Sequence, residues 1–457
     1  MEQQLLSVGI DIGTSTTQLI FSKLIIKNTA SAFNMPKVSI TDKEIIYKSR
    51  IYFTPLIDNR TINCEDIKKI IVKEYENAGI KKEDIDTGAV IITGETARKE
   101  NAQEVLQTLS GFAGDFVVAT AGPDLESIIS GKGAGACEYS KIHKKSVLNI
   151  DIGGGTSNFA LFKNGDVIDT GCMNVGGRLI KLDGNRNITY ISPVLSSIYN
   201  DLSVGDIFSE DKAKEITDKM TVALMQGANI LPRDSLFEHF LTNKGIDANQ
   251  TIDCISFSGG VSDIVYNKNY NNLFEYGDIG IFLGNSISNS DLVSKYQLVK
   301  ASETIRATVV GAGTHTTEIS GSTITYTNDI LPLKNIPVLK LTEDDEENLT
   351  AAIKKKIQWF EGENAAIAFK MSKPATFSNM QKYADEILQS AGNISPVIVI
   401  TEKDIAKVLG QTLQSKTKTP IVCIDSVQLS NGDYIDIGKP IAGGMAVPVV
   451  IKTLVFN

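Results

Sequence analysis

The chain has 457 residues, 42% hydrophobic and 22% charged, with a formal net charge of −9. That apolar content suffices for about three globular domains, and an acidic balance without a basic run or a basic, aromatic-interleaved patch disfavours a nucleic-acid partner. Cys64, Cys137, Cys172, Cys254 and Cys423 lack C-x-x-C spacing and His143, His239 and His315 are isolated, so neither a zinc site nor a disulfide framework is indicated; no apolar segment reaches the ~18 residues that span a bilayer, and a cytoplasmic protein is expected.

In chain order, "VGIDIGTSTTQLIF" (8–21) alternates Val8, Ile10 and Ile12 with Gly9, Asp11 and Gly13, turns over Thr14, Ser15 and Thr16, and resumes an extended pattern. It reads as a β-hairpin. Residues 63–79 place Ile67, Ile70, Ile71, Tyr75 and Ala78 at helical spacing, with Asn63 and Asp66 as the start and Gly79 as the stop. "GAVIIT" (88–93) and "DFVVAT" (115–120) read as buried strands flanking a helix around "ETARKENAQEVLQTL" (95–109). The first domain is therefore α/β. At 147–162, "VLNIDIGGGTSNFALF" repeats the first hairpin, with Asp151 in the place of Asp11 and Gly153, Gly154, Gly155 and Thr156 at the tip. Residues 210–231 form an amphipathic helix with Ile216, Met220, Ala223 and Leu224 toward the core. "DCISFSGGVSD" (253–263) is a short apolar strand ending in Ser258, Gly259, Gly260 and Val261. Beyond residue 320 strands and helices alternate, as in a parallel α/β module. The acidic run from Glu343 to Glu347 reads as the N-terminal turn of a helix, where negative charge suits the dipole.

The chemistry suggested is phosphate binding. Glycines let the main chain come close to a small anion and hydroxyls add donors. A carboxylate beside phosphates repels them unless a cation lies between, typically Mg²⁺ that keeps most of its waters. A single Gly- and Thr-rich hairpin usually binds nothing; two, each with Asp before its turn, suggest duplicated halves facing each other across a cleft. The glycine pair at 259–260 would let a flat nucleoside lie against the backbone. No G-x-x-x-x-G-K-[ST] sequence competes.

These three stretches resemble the phosphate-1, phosphate-2 and adenosine motifs of the actin, hexokinase and heat-shock chaperone ATPase superfamily. The resemblance implies an α/β, actin-like ATPase with duplicated RNase H-like halves around a nucleotide cleft: subdomain I over 1–145, subdomain II over 146–315, and a C-terminal α/β module over 316–457 that is appended or completes subdomain I. "AGPDLESIISGKGAGA" (121–136) and "ASETIRATVVGAGTH" (301–315) fall where the superfamily has its interdomain helices. There Glu126 is a candidate for positioning the attacking water, with a solvated helix charge as the alternative. Within the superfamily, "NTASAFNMPKVSITDKEIIYKSRIYFTPL", "ITGETARKENAQEVL", "AGPDLESIISGKGAGA" and "DYIDIGKPIAGGMAVPVVIKTLVF" are similar to the family of ethanolamine ammonia-lyase reactivating factors, nearly end to end. That implies a chaperone using ATP and Mg²⁺ to expel damaged cobalamin from the lyase, in the cytoplasm and associated with the ethanolamine-utilisation microcompartment. Asp11 and Asp151 would then face the metal. Two other readings use the same clamp. A sugar-type kinase needs an acceptor-binding pattern, and none stands out; an actin-like filament protein tethered by a basic amphipathic C-terminal helix conflicts with the β-branched "VPVVIKTLVFN".

Overall fold

The computed structural model describes residues 2–29, 38–58, 61–93, 101, 105, 108–109, 118–120, 123–267, 270–315, 317–321, 323–357, 364–392, 394–429 and 433–453. Most of the helix expected over 95–109, and the first three residues of the strand expected over 115–120, lie outside these.

Two sheets share one topology. In the first, Glu2–Ile12 pairs antiparallel with Thr16–Asn28, which pairs with Val38–Lys48; on its other side Glu2–Ile12 runs parallel to Thr87–Ile92, which runs parallel to Val118–Thr120. In the second, Ser146–Ile152 pairs antiparallel with Ser157–Lys163 and that with Asp166–Met173, while Cys254–Ser258 runs parallel to Ser146–Ile152 and then to Gln297–Leu298. Leaving aside the short strand Tyr52–Phe53, which pairs with Thr16–Asn28 off this path, the spatial order numbered within each sheet is 3-2-1-4-5 both times. The recurrence of the hairpin sequence thus marks duplication of a whole sheet. Both central strands are buried on both faces, which is why Val8, Ile10 and Ile12, and Leu148, Ile150 and Ile152, sit in cores.

Helix Cys64–Ala78 covers the first sheet through Ile67, Ile71 and Tyr75. Asn63 caps it by accepting from Asp66 N, and Gly79 ends it at φ 65°, a left-handed conformation that glycine adopts without Cβ strain. Helix Glu210–Gly227 covers the second sheet through Ile216, Met220, Ala223 and Leu224.

Helices Pro123–Gly133 and Ala307–His315 cross in backbone contact. A Cβ on Gly133 would lie 1.9 Å from the Ala307 carbonyl oxygen, and one on Gly311 2.0 Å from that of Ile129. The 307–315 helix also lies on the first sheet, where Ser7 Oγ donates to Gly313 O at 2.6 Å and a Cβ on Gly9 would meet Val309 O at 2.5 Å.

The C-terminal residues build an eight-stranded sheet whose central strands Leu333–Lys340, Ala366–Phe369, Val397–Thr401 and Ile421–Asp425 are parallel. Alternate residues face two cores: Ile367, Val399 and Cys423 pack under helices Leu349–Lys356, Phe377–Ala391 and Ala406–Lys416, and Ala366, Ile398 and Val422 pack against Ile435 and Val449 of the antiparallel strands. Val450 joins Ala89, Ile91, Ile129 and Ala312 in a small cluster that ties this sheet to the first. The expectation for the acidic run is corrected here. Asp344–Glu347 is a separate 3-10 turn, and the following helix is capped by Asn348. Glu346 is buried, accepting from Ser372 N, Ser372 Oγ and Tyr383 Oη at 2.7 Å each, so it braces the module's core instead of serving a dipole. No helix among the described residues is long and apolar enough to cross a membrane.

Candidate functional site

Both hairpin tips close by one rule. Gly13 N donates to Thr16 O and Gly153 N to Thr156 O, each at 2.9 Å. The registers match as well: Asp11 lies opposite Gln18 and Asp151 opposite Asn158. Residues 14–16 and 153–156 are half-buried, so the tips remain accessible.

The tips meet. A Cβ on Gly154 would lie 2.2 Å from Ser15 Oγ, so the second tip approaches the first to within the space a methyl group would take. Asp11 and Asp151 are brought near enough to repel. Asp11 is 7% exposed; burial pushes its carboxyl up to about 7, Thr93 Oγ1 opposes this by donating to Oδ1 at 2.9 Å, and the charge of Asp151 raises it further. Asp151, 5% exposed, is pushed by burial to about 6 against the hydroxyl of Ser258, which donates to Oδ1 at 2.5 Å. Ser258 is held in turn by Asn149 Nδ2 at 2.9 Å, and Ser256 Oγ donates to Asn149 Oδ1 at 2.8 Å.

Cross-strand partners in a hairpin share a face, so Gln18 stands beside Asp11 and Asn158 beside Asp151. Gln18 Oε1 and Asn158 Oδ1 are buried without a hydrogen-bond partner among the described residues. Gln18 is oriented by Nε2, which donates to Ile305 O at 3.1 Å. Two carboxylates, each with a single hydroxyl donor, and two amide oxygens without a partner among the described residues form a set rich in acceptors. It fits a hard cation.

The turn after Cys254–Ser258 closes one side. Gly259 has φ 84°, donates to Thr304 O at 3.0 Å and lies so close to the end of strand 146–152 that a Cβ would be 2.3 Å from Ile152 O. Val261 N reaches the same oxygen at 3.2 Å, and Gly260 is exposed, a Cβ there making ordinary contact with Ile305 Cδ1 at 3.9 Å. Glu126, on the 123–133 helix, is buried at 8% exposure, which removes the solvated-charge alternative.

Several neighbours were missed in the sequence. Thr93 ends a segment read only as strand, and Asn149, Gln18 and Asn158 are polar positions inside apolar alternation, a signal that was present. The loop at Gly176 and Gly177 also packs on the second tip: Gly177 N donates to Gly153 O at 3.0 Å and Arg178 N to Gly154 O at 2.7 Å. Its paired glycines were the available cue.

A family described as "Ethanolamine utilisation protein EutA" matches residues 3–457. The ethanolamine ammonia-lyase reactivase EutA of Salmonella typhimurium is 36% identical over 469 residues, covering 99% of either chain, and that of Escherichia coli is 36% identical over 471 residues with the same coverage. Among solved structures, a Ppx/GppA family member of Aquifex aeolicus aligns with a TM-score of 0.41 at 14% identity, covering 68% of this chain and 97% of its own. The ethanolamine utilisation protein EutJ of Carboxydothermus hydrogenoformans aligns with a TM-score of 0.34 at 12% identity, covering 67% of this chain and 89% of its own.

Proposed function

We propose, from the premise that this chain belongs to the EutA family, that it is an ATP-dependent reactivase of adenosylcobalamin-dependent ethanolamine ammonia-lyase. It would release damaged cobalamin from the lyase, in the cytoplasm and at the ethanolamine-utilisation microcompartment, so that intact cofactor binds. The observation that carries this reading is 36% identity to proteins named as that reactivase over 99% of both chains.

The nucleotide would lie between the two hairpin tips. Gly13, Thr14, Ser15 and Thr16 from one half, and Gly153, Gly154, Gly155 and Thr156 from the other, would present N–H and hydroxyl donors to the phosphates. Ser258, Gly259, Gly260 and Val261 would back the nucleoside. The pair Asp11 and Asp151, with the amide oxygens of Gln18 and Asn158, suits an ion whose remaining ligands are water and phosphate. Mg²⁺, when bound, would neutralise phosphate charge. Glu126, buried on the 123–133 helix, would orient the attacking water.

Coupling needs two states with different affinities for the lyase. A cofactor held at a micromolar dissociation constant costs about 8 kcal/mol to release at a 1 M standard state, so one state must favour the open, cofactor-free lyase. In this reading the two sheets, joined through crossing helices, would be the parts whose relative arrangement differs between those states.

The decisive experiment starts from lyase inactivated with a cobalamin that dilution does not remove. Wild-type protein with ATP, Mg²⁺ and fresh adenosylcobalamin should restore activity, with damaged cobalamin appearing in the filtrate before or with it. ATP hydrolysis without cobalamin release would refute the reactivase reading and favour a kinase, to be sought by phosphorylation of small hydroxyl compounds. A separate measurement checks the cleft. Gly154→Val would put methyl groups against Ser15 Oγ and between the tips, so calorimetry should find ATP affinity lowered at least about tenfold in a protein whose circular dichroism is unchanged. Unchanged affinity would move the phosphates elsewhere.

A further inference from the structure

Neither tip carries a basic residue: 13–16 reads Gly-Thr-Ser-Thr and 153–156 Gly-Gly-Gly-Thr. A cation reaches them from the 176–178 loop. Gly176 seats that loop, since a Cβ there would lie 2.3 Å from Gly154 O. From this anchor the Arg178 side chain runs along the second tip, with Cδ 3.4 Å from the position a Gly154 Cβ would take. Its guanidinium carbon lies 4.9 Å from the ring centroid of Phe53. Phe53 pairs with Thr16 in the strand register, and Thr54 beside it donates from N to Ser15 O and from Oγ1 to Gly13 O, so this ring belongs to the first tip. The guanidinium therefore sits where the two tips converge.

Its orientation is set from behind. Nε donates to Asp278 Oδ2 at 3.2 Å, and Asp278 is held by Gly280 N on its other oxygen at 2.9 Å. The Nη groups have no hydrogen-bond partner among the described residues, and the side chain is 23% exposed. With Nε engaged and the planar fork left open, this arginine is presented as a bidentate donor to an oxyanion. Phe53, 73% exposed, offers the flat face on which the fork rests.

We propose that Arg178 binds the terminal phosphate of a nucleoside triphosphate, with Asp278 and Phe53 as its positioning residues. This rests on the nucleotide reading of the cleft. The rival role is a latch that merely holds the two halves together, and nucleotide selectivity separates the two.

Calorimetry with ATP, ADP and AMP, each with Mg²⁺, is the test. In Arg178→Ala the affinity for ATP should fall about 10- to 100-fold while that for ADP and AMP changes less than about threefold, the loss expected for hydrogen bonds to a charged group. Arg178→Lys should recover only part of it, because an ammonium lacks the fork. Asp278→Asn, which keeps the side-chain shape, should lower ATP affinity in the same selective way and guards against misfolding of the alanine variant. Equal losses for all three nucleotides, or none, would overturn the assignment in favour of a latch. Wild-type protein that binds no nucleotide would instead overturn the reading of the cleft.

Discussion

Asp11→Asn and Asp151→Asn proteins should hydrolyse ATP at least about a hundredfold more slowly than wild type while losing much less of their affinity for the nucleotide. Asparagine preserves the shape of each turn and removes the charge that a cation would balance. The effect should be large because the surroundings offer little substitute: Asp11 has Thr93 and Asp151 has Ser258, both neutral. The same geometry sets a pH dependence. Both carboxyls titrate well above the ordinary value of 3.8, at about 7 and about 6, because burial disfavours their charged forms. Between about pH 4 and 7 the folded, unliganded protein keeps protons that the unfolded chain has already released, so these groups contribute stability at low pH that is lost as pH rises through 6 to 7. A bound cation reverses the preference. Mg·ATP should therefore raise the melting temperature more at pH 8 than at pH 6, and hydrolysis should climb across that interval. In either Asn variant the pH slope, compared with wild type under matched nucleotide and metal concentrations, should flatten. Wild-type hydrolysis rates in both variants would reduce the aspartates to turn formers.

The Gly311→Val protein should be destabilised by at least about 3 kcal/mol, with a melting temperature lowered by at least about 3 °C, or should fail to accumulate in folded form. A Cβ at Gly311 would stand 2.0 Å from the Ile129 carbonyl oxygen and 2.8 Å from its carbon, atoms of a helix backbone that cannot rotate away. The 307–315 helix has no room to retreat. Its other face meets the first sheet, where the Cβ of a residue replacing Gly313 would lie 3.1 Å from Gly9 N and where Ser7 Oγ holds Gly313 O. Gly184→Ala is the matched control, since a Cβ there meets nothing within 4 Å; its melting temperature should stay within about 1 °C of wild type. A stable Gly311→Val protein would show that the two helices can part, and the crossing would then be a soft joint.

The hairpins were legible because their cause is local. Alternation over residues 8–12 and 147–152, broken by glycine and hydroxyl residues, dictates strand, turn and strand without reference to anything distant. The same holds for Asn63 and Gly79 at the ends of a helix, and for the glycines that permit close approach at 154 and 259. From their repetition the sequence alone determined an α/β molecule with two related halves; the family came instead from the resemblance of other stretches, such as "AGPDLESIISGKGAGA" and "DYIDIGKPIAGGMAVPVVIKTLVF". What it did not contain is which atoms face one another across the cleft. That Ser15 meets Gly154, that Thr93 restrains Asp11, that Asn149 and Ser256 fix Ser258 behind Asp151, and that Arg178 reaches Phe53 are pairings between residues distant in the chain, and a period of two or 3.6 carries no information about the opposite partner. Glu346 makes the same point. In the sequence it was one of a run of acids suited to a helix start; only the approach of Ser372 and Tyr383 turned it into a buried acceptor, because a carboxylate leaves water when tertiary contacts bring donors to replace it.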